Sequence, residues 1–484
     1  MKYLEKYLTQ IPTYLLVNGA LGFLIVLSLL LSLFGIFPFP ALALILTNLV
    51  FIGVSMVASY GFAKLYGISS HLQSAMITGL LLTFLFTPST KITTLLQYGL
   101  IALISQGSKF IIAFKGRHIF NPAAFGALLG GLLQLQFASW WIATPALLIP
   151  VIFTAFLILY KTRELLLGSV FIALSLLMLV ITGVNIWTAA SSWPLLFLAG
   201  FMLDEPATLP PRKEQRLGIA IIVATVVSLP FHIGWFYSSP EFALVIGNLV
   251  AFALAFKQRK GIKLQLKART KLTPTTEELV FATSKPITFE PGQYIELTLP
   301  HHKPDMRGLR RSFSITNAPY ENELRLGVKF NEPGSTFKNK LAELSPEAII
   351  QTTGVAGDFT LPKDNKAKLL FIAGGIGITP FISHIKAHAN RDITLLYFVP
   401  NAKEIAYKNL LDSSGVKVTY FTTRGKKIPG VESGRLSANT IQKHVPDASE
   451  RIAYISGPPT MVNDAKKQLK GKVKKIKTDY FNGY

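Results

Sequence analysis

The sequence has no cysteine among its 484 residues, and only 15% of its residues are charged. Without cysteine it can form neither a disulfide nor a Cys-ligated iron–sulfur cluster, and it has no thiolate nucleophile. Histidine is also scarce in the first half, which contains His71, His118 and His232. A haem-bearing ferric reductase would need four histidines in paired spans to hold two stacked haems, so we expect no haem and no metal site.

Charge divides the chain near Phe256. Residues up to this position contain 12 of the 49 Lys and Arg and 6 of the 26 Asp and Glu, although hydrophobic residues make up 50% of the chain. We therefore predict a membrane domain at 1–256, followed by a soluble basic part. The net charge of +23 lies mostly in that second part, where it would face anionic lipid headgroups and phosphate-bearing cofactors, and we expect no nucleic-acid partner.

About ten apolar runs in the first part are long enough to cross a bilayer as helices. They centre near Ile25, Val50, Leu80, Leu100, Leu128, Phe153, Ala173, Leu196, Ile222 and Leu249. Lys and Arg then fall on one side of the membrane, because the predicted outer loops hold only Lys91. This bias predicts a multi-pass protein of the cytoplasmic (inner) membrane with both termini in the cytoplasm.

Polar residues interrupt the apolar runs in three places. His118 and Asn121 precede the fifth run, Thr144 precedes the sixth, and the segment DEPAT at 204–208 follows the eighth. Polar groups at membrane depth are costly and tend to be buried against a partner or a cofactor, although helix capping is an alternative. The third run ends in a similar segment, FLFTPST at 84–90, which suggests inverted repeats with broken helices.

This order of segments resembles the NqrB/RnfD family, the membrane subunits of the sodium-pumping NADH:quinone oxidoreductase and of the Rnf complex. The resemblance is carried by residues 78–88, HIFNPA at 118–123, 143–145 and DEPAT. It implies two inverted five-helix repeats that bind flavin (FMN or riboflavin), with an inner site at His118 and Asn121 preferred over an outer one at Thr144. His118 replaces a usual asparagine, and the family's attachment motif before Thr144 is degraded, so we expect no covalent flavin.

The second part contains two different patterns. Short runs of alternating apolar and β-branched or aromatic residues predict an antiparallel β-barrel at 257–364. From Leu369 onward, buried strands separated by helical stretches predict a doubly wound α/β domain at 365–484. The chain is therefore predicted to be a multidomain protein, with an all-α polytopic membrane domain first.

Four motifs in these two domains suit flavin and dinucleotide phosphates. They combine glycines, which allow close backbone approach, with hydroxyl groups and a guanidinium. The candidate residues are Arg311, Ser312, Phe313 and Ser314; Gly334, Ser335 and Thr336; Gly374, Gly375, Gly377, Ile378 and Thr379; and Ser456, Gly457, Pro458 and Met461.

Together these motifs resemble the ferredoxin–NADP reductase family over nearly all of 262–484. The resemblance implies that Arg311 and the Thr336 segment bind the FAD pyrophosphate and that Phe313 packs on the isoalloxazine. It places Ser314 and Ser456 at hydride transfer as catalytic residues, with Ser456 standing where the family usually has a cysteine. The glycine motifs would bind NADH or NADPH. The terminal aromatic residue, Tyr484, would also bind the flavin.

We therefore expect a dehydrogenase that passes electrons from NAD(P)H through FAD to a flavin in the membrane domain and on to a quinone-like acceptor. A transporter-like membrane protein with a redox-sensing reductase domain is the alternative. Without thiolates, electrons must pass from flavin to flavin or through a partner subunit or carrier. Coupling to sodium or protons stays open, as does the dinucleotide preference, although Arg424, Lys426 and Lys427 could meet a 2′-phosphate.

Overall fold

In a computed structural model the chain is described over residues 7–8, 11–67, 70–114, 117–256, 262–301, 305, 308–352, 354–424 and 429–481. It forms two compact units, one comprising residues 11–259 and the other most of residues 260–484. The division lies close to the boundary predicted after Phe256.

Apolar helices make up the first unit. Their bounds are α1 (Thr13–Leu33), α2 (Ala41–Leu65), α3 (Leu72–Leu85), α4 (Ile92–Ile111), α5 (Pro122–Leu132), α6 (Leu148–Thr162), α7 (Leu165–Ile181), α8 (Ile186–Ser192 and Leu195–Leu203), α9 (Lys213–Ser228) and α10 (Pro240–Ala255). Each of the ten predicted centres lies in one of them. Within the described chain, three helices are long and apolar enough to span a membrane: α1, α2, and α6 together with the helical turn before it (Pro145–Thr162). Helix α8 makes a fourth if its two pieces form one span. Ten spans therefore stay a prediction.

The helices of the two halves pack in the same order. In the first half α1 and α2 contact α3, α2 contacts α4, and α4 contacts α5; in the second half α6 and α7 contact α8, α7 contacts α9, and α9 contacts α10. Between the halves, α1 contacts α6 and α5 contacts α10. A short β-hairpin, with strands of two residues each, precedes both α5 and α10. Each of these helices begins with a capping residue followed by a proline, Asn121–Pro122 in α5 and Ser239–Pro240 in α10. Two repeats of five helices would pack in this way.

The break in α8 lies at Pro194 rather than at the DEPAT segment. Its two pieces are bent by 49°, and Trp193 between them is extended, as the residue before a proline usually is. The matching break expected in the third helix is absent, because α3 is continuous to Leu85 and Pro88 follows it in an irregular segment. The prediction of two broken helices was therefore wrong for α3.

The second unit begins with a six-stranded antiparallel sheet. Its strands are β1 (Ile262–Lys271), β2 (Thr276–Thr283), β3 (Tyr294–Thr298), β4 (Arg310–Ser314), β5 (Leu324–Lys329) and β6 (Ile349–Thr352), in the order β4-β3-β6-β1-β2-β5. A bridge pairs Ile315 with Leu326, and the Thr316 N–H donates to the Arg325 carbonyl at 2.9 Å. These contacts join the two outer strands, as closure of a barrel requires. Helix α11 (Thr336–Ala342) lies between β5 and β6 in the chain.

A parallel sheet with helices follows. Its strands are β7 (Leu369–Gly374), β8 (Ile393–Val399), β9 (Lys417–Thr422), β10 (Val431–Ser433), β11 (Ile452–Gly457) and β12 (Lys475–Tyr480), and its helices are α12 (Thr379–His388), α13 (Lys408–Ser413), α14 (Ala438–His444) and α15 (Pro459–Leu469). The strand order is β10-β9-β8-β7-β11-β12. Because the order reverses between β7 and β11, ligands are expected outside the carboxyl ends of these two strands.

A buried histidine joins α12 to the segment that enters this sheet. His384 is completely buried, and its Nε2 lies 2.9 Å from the Phe359 carbonyl oxygen. The rings of Phe359, Phe371 and Tyr454 surround it. Burial lowers the pKa of His384 to about 3, because an imidazolium would be poorly solvated there.

We expect the second unit to lose stability as the pH falls from about 6.5, the pKa of an exposed histidine, towards 3. Over this range the unfolded chain binds a proton at His384 and the folded chain does not, which costs up to about 1.4 kcal/mol per pH unit. His384→Phe should flatten this dependence. Pulse proteolysis in urea at about pH 7.5 and about pH 5.5 measures it.

His388→Phe, at the half-buried end of the same helix, is the matched control and should change the pH dependence less. Equal pH dependence in the unmodified chain and in His384→Phe would contradict this account.

Candidate functional site

Two glycine-containing turns meet at the carboxyl ends of β7 and β11. A Cβ on Gly377 would lie 2.5 Å from the Ser456 carbonyl oxygen and 2.6 Å from the Gly457 Cα. Gly375 has a φ of +53°, in the left-handed region that favours glycine. Any larger residue at 377 would push the turns apart, so glycine is required for the two strands to form this edge together.

The neighbouring candidates pack into the same edge. A Cβ on Gly374 would lie 2.1 Å from the Met461 Sδ and 3.1 Å from the Pro458 Cδ, so the first turn lies directly against the second. Ile378 and Thr379 are buried at the start of α12, and the Thr379 hydroxyl donates to the Ile376 carbonyl at 3.0 Å. The structure therefore brings together the two glycine motifs that the sequence places about 80 residues apart.

Ser456 carries a hydroxyl with no hydrogen-bond partner within the described chain, although the residue is completely buried. An unpaired buried hydroxyl costs about 1–3 kcal/mol, so such groups usually have a partner when a ligand is bound. The free hydroxyl of Ser456 and the glycine turns beside it fit a dinucleotide at this edge.

Strand β4 carries the second set of candidates. Arg311 and Phe313 are buried and pack on Phe337 of α11, with the Arg311 Cζ 5.2 Å and the Phe313 ring centroid 6.1 Å from the Phe337 ring centroid. Ser312 is exposed, and Ser314 is buried at the end of the strand. The Phe313 ring is 8% exposed, so most of its surface contacts the core of the sheet rather than a ligand.

A carboxylate that the sequence analysis missed connects Arg311 with Thr336. Asp305 Oδ1 lies 3.5 Å from the Arg311 Nη2, and Asp305 Oδ2 accepts a hydrogen bond from the Thr336 N–H at 3.2 Å. The Asp305 N–H donates to the Thr336 Oγ1 at 2.9 Å, and His301 Nε2 lies 3.0 Å from the same oxygen. The two groups expected at the FAD pyrophosphate therefore converge on one anion, and a diphosphate would compete with Asp305 for them. No local sequence pattern marks Asp305.

The other two residues of the 334–336 motif stabilise helix α11. Ser335 caps α11 by accepting a hydrogen bond from the Lys338 N–H at 3.2 Å. A Cβ on Gly334 would lie 2.3 Å from the Asn339 Oδ1, so the loop packs tightly on the helix. The residues fit a diphosphate through Arg311 and the Thr336 N–H once Asp305 is displaced.

In the first unit, the inner-face candidates form one hydrogen-bonded cluster. His118 Nε2 lies 2.8 Å from Glu205 Oε1, and Asn121 Nδ2 donates to Glu205 Oε2 at 3.0 Å. The Asn121 N–H donates to the Asn248 Oδ1 at 2.7 Å, and the Asn121 Oδ1 caps α5 by accepting from the Ala124 N–H. The residues predicted to lie together are therefore in contact. The side chain of Asn121, however, already has hydrogen-bond partners within the protein, which agrees with the alternative that it caps a helix.

Thr144 lines a small, partly open cavity of about 10 Å³, which is also lined by Trp193 and Phe197 of the α8 region and has room for about one water molecule. The Thr144 hydroxyl is buried and has no hydrogen-bond partner within the described chain. Most ligand pockets have about 300–1,000 Å³, so a flavin would bind beside Thr144 only after the surrounding side chains move apart.

Four further candidates concern the cofactor edge. Of these, Tyr484, Lys426 and Lys427 lie outside the described residues. Arg424 follows β9, and its backbone N–H donates to the Pro400 carbonyl at 2.9 Å. Because β7, β8 and β9 are parallel, Arg424 lies at the same carboxyl edge as the glycine turns, two strands away from β7.

Comparison with known proteins bears on the second unit. Residues 371–467, which include both glycine turns, match the family described as Oxidoreductase NAD-binding domain, whereas residues 1–256 lie outside this match. An NADPH oxidoreductase of Mycobacterium tuberculosis is 29% identical over 192 residues, which cover 37% of this chain and 48% of that protein. Ferredoxin–NADP reductase B of Sorangium cellulosum is 28% identical over 212 residues, which cover 42% of this chain and 84% of that protein.

Oxidoreductase NAD-binding domain-containing protein 1 of Xenopus laevis is 30% identical over 220 residues, which cover 38% of this chain and 67% of that protein. The chain spans about half the length of several other relatives that it matches, 48% in the mycobacterial protein and 47% in two flavohemoproteins. The similarity thus concerns part of this chain and, in several of these relatives, only part of theirs.

Changes at Arg311 and Asp305 should move FAD affinity in opposite directions. Arg311→Ala removes a charge-assisted partner of the diphosphate, and such bonds contribute about 1.5–3 kcal/mol each, so FAD should bind about 10- to 100-fold more weakly. Asp305→Asn removes the competing anion and should strengthen binding by about ten-fold. Titration of the flavin-depleted chain with FAD measures both affinities.

Asp364→Asn, an exposed carboxylate elsewhere in the same unit, is the matched control and should leave FAD affinity unchanged. An Asp305→Asn variant with the affinity of the unmodified chain would show that Asp305 does not compete with the cofactor.

Proposed function

Because its C-terminal part belongs to the Oxidoreductase NAD-binding domain family, we propose that the chain is a membrane-bound NAD(P)H dehydrogenase of the ferredoxin–NADP reductase type. The observation that carries this proposal is the meeting of Gly377 with Ser456 and Gly457 at the switch point of a parallel sheet. FAD, when bound, accepts a hydride from NAD(P)H and passes the two electrons on.

The residues of the chain would bind and orient both molecules. Arg311 and the Thr336 N–H would hold the FAD diphosphate in place of Asp305. The glycine turns keep side chains away from the dinucleotide, and Ser456 supplies its free hydroxyl as a hydrogen-bond partner. Ser314, buried at the end of β4, is the hydroxyl proposed for the flavin edge.

A location in the cytoplasmic membrane is the second part of the proposal. It is supported by large apolar side chains that are exposed along the helices of the first unit, among them Val57 at 73% and Ile149 at 76%. Exposed apolar surface of this kind is stable in lipid and costly in water. The one-sided Lys and Arg of the loops support a cytoplasmic position of both termini, and hence of the reductase.

Electrons would leave FAD through a flavin in the membrane domain towards a quinone-like acceptor. The resemblance of residues 78–88 and 118–123 to the NqrB/RnfD family supports this route. Thr144 and the aromatic side chains beside it would hold that flavin only after moving apart to make room for it, and coupling to sodium or protons belongs to the same proposal. A partner subunit or soluble carrier is the alternative for the onward transfer.

The purified chain in lipid should oxidise NADH or NADPH and reduce a soluble quinone. Ser456→Ala should lower the rate of dinucleotide oxidation by about two- to ten-fold without loss of FAD, because one hydrogen bond contributes about 0.5–1.5 kcal/mol. Stopped-flow reduction of the bound flavin measures this step. Ser284→Ala, at an exposed position after β2, is the control. A chain that retains FAD but oxidises neither dinucleotide would refute the proposal.

Acid precipitation should release about two flavins per chain, one from each unit. Deletion of 262–484 should leave one. Thr144→Val should lower the content of this second flavin, whereas Thr182→Val, at an exposed position after α7, should not. A content of one flavin, lost completely on deletion of 262–484, would exclude a flavin in the membrane domain; flavin that stays on the denatured band would indicate a covalent bond.

A further inference from the structure

A group of exposed lysines lies at the amino end of β12. Its members are Lys466 and Lys467 in the last turn of α15, Lys470 and Lys472 in the following turn, and Lys474 and Lys475 at the start of the strand. We call these six residues the lysine edge. None of the six forms an ion pair within the described chain, and all six side chains are exposed.

The nearby carboxylates are already paired with other cations. The Lys474 N–H donates to the Arg451 carbonyl at 3.0 Å, which places the lysine edge beside Arg451. Arg451 binds Asp447 at 2.8 Å and Asp392 at 2.7 Å, and Lys368 binds Glu450 at 2.7 Å. The Arg451 guanidinium also holds the pKa of Asp447 below its usual range. The remaining acid of α15 is the exposed Asp464, and one carboxylate beside six lysines leaves the lysine edge with a net positive charge.

The lysine edge lies away from the cofactor edge. All strands of this sheet are parallel, so the start of β12 and the glycine turns after β7 and β11 lie at opposite ends of the strands. A strand of six residues separates the two ends by roughly 20 Å. Binding of the dinucleotide phosphates therefore does not account for these lysines.

Protection of an edge strand explains only part of the group. Exposed lysine on an edge strand blocks pairing with other chains, and β12 is an edge strand. This role fits Lys475, which lies in the strand. Lys466, Lys467, Lys470 and Lys472 lie on the helix and the turn, where no strand could be added.

We propose that the lysine edge binds the anionic headgroups of the bilayer that holds the membrane domain; this inference rests on the membrane location proposed above. The group contains lysine alone, without the Arg, Trp or Tyr that anchor protein interfaces. Compact ammonium groups on flexible stems suit a diffuse layer of lipid phosphates. Contact at this end leaves the carboxyl edge of the sheet open to dinucleotides from the cytoplasm.

Hydrogen exchange tests the proposal with the full chain in lipid nanodiscs, without dinucleotide. Residues 464–480 should exchange at least about five-fold more slowly in discs with about 30% phosphatidylglycerol than in purely zwitterionic discs, because basic residues bind anionic leaflets. Raising the salt to about 1 M, where the Debye length is about 3 Å, should abolish the difference. Recovery of the chain in discs confirms that the membrane domain has inserted.

The variant Lys466→Ser, Lys467→Ser, Lys470→Ser, Lys472→Ser should lose the lipid-dependent protection. The matched control removes the same charge from exposed lysines of the other sheet and a loop, Lys267→Ser, Lys271→Ser, Lys285→Ser, Lys403→Ser, and should keep it. Dinucleotide oxidation with a soluble acceptor should be equal in both variants.

Equal exchange in the two kinds of disc would overturn the proposal. If a purified acidic electron-carrier protein protects the segment and lipid charge does not, the lysine edge is a protein-docking surface and the lipid assignment is wrong. Lipid-dependent protection in a chain that fails to oxidise NAD(P)H would support the docking and refute the enzymatic function separately.

Discussion

The close backbone approach between Gly377 and the Ser456–Gly457 turn is the contact on which the reductase unit depends. It can form only because neither turn carries a side chain at the point where they meet. The contact fixes the carboxyl ends of β7 and β11 side by side, where the strand order reverses, and the Ser456 hydroxyl beside it has no partner among the described residues. Strand packing, the position of the dinucleotide edge and the proposed role of Ser456 all follow from it.

The constraint in the first unit is that a polar group among apolar helices needs a hydrogen-bond partner nearby. Glu205 meets this need for His118 and Asn121, and Glu241 accepts a hydrogen bond from the Trp140 indole at 2.8 Å. Within the described chain, the hydroxyls of Ser55, Thr144 and Ser175 are buried in this unit without a hydrogen-bond partner, and Thr144 is the one of these three that lines the small cavity described above.

The positive charge of the second unit is concentrated at particular places rather than spread evenly over its surface. At one end of the parallel sheet, the acids Asp392, Asp447 and Glu450 are neutralised by Arg451 and Lys368, and the lysine edge remains in excess. At the flavin side, the buried Arg311 is met by Asp305. The positive charge of the second unit is therefore in excess at the lysine edge, proposed to meet lipid headgroups, and is balanced by Asp305 where a diphosphate is proposed to bind.

The sequence by itself determined that apolar helices come first and a reductase with a parallel sheet follows, because hydrophobic runs and their periods report burial directly. The division near Phe256 and a count of ten spans stay predictions. Glycine at 374, 375 and 377 likewise predicted a tight turn. Only the tertiary structure decided that Asp305 lies between Arg311 and Thr336, that α8 bends at Pro194, and that α3 is continuous to Leu85. These features depend on hydrogen bonds and packing between residues that are distant in the sequence. A local sequence pattern contains no information about such a partner, because only folding brings the two residues together.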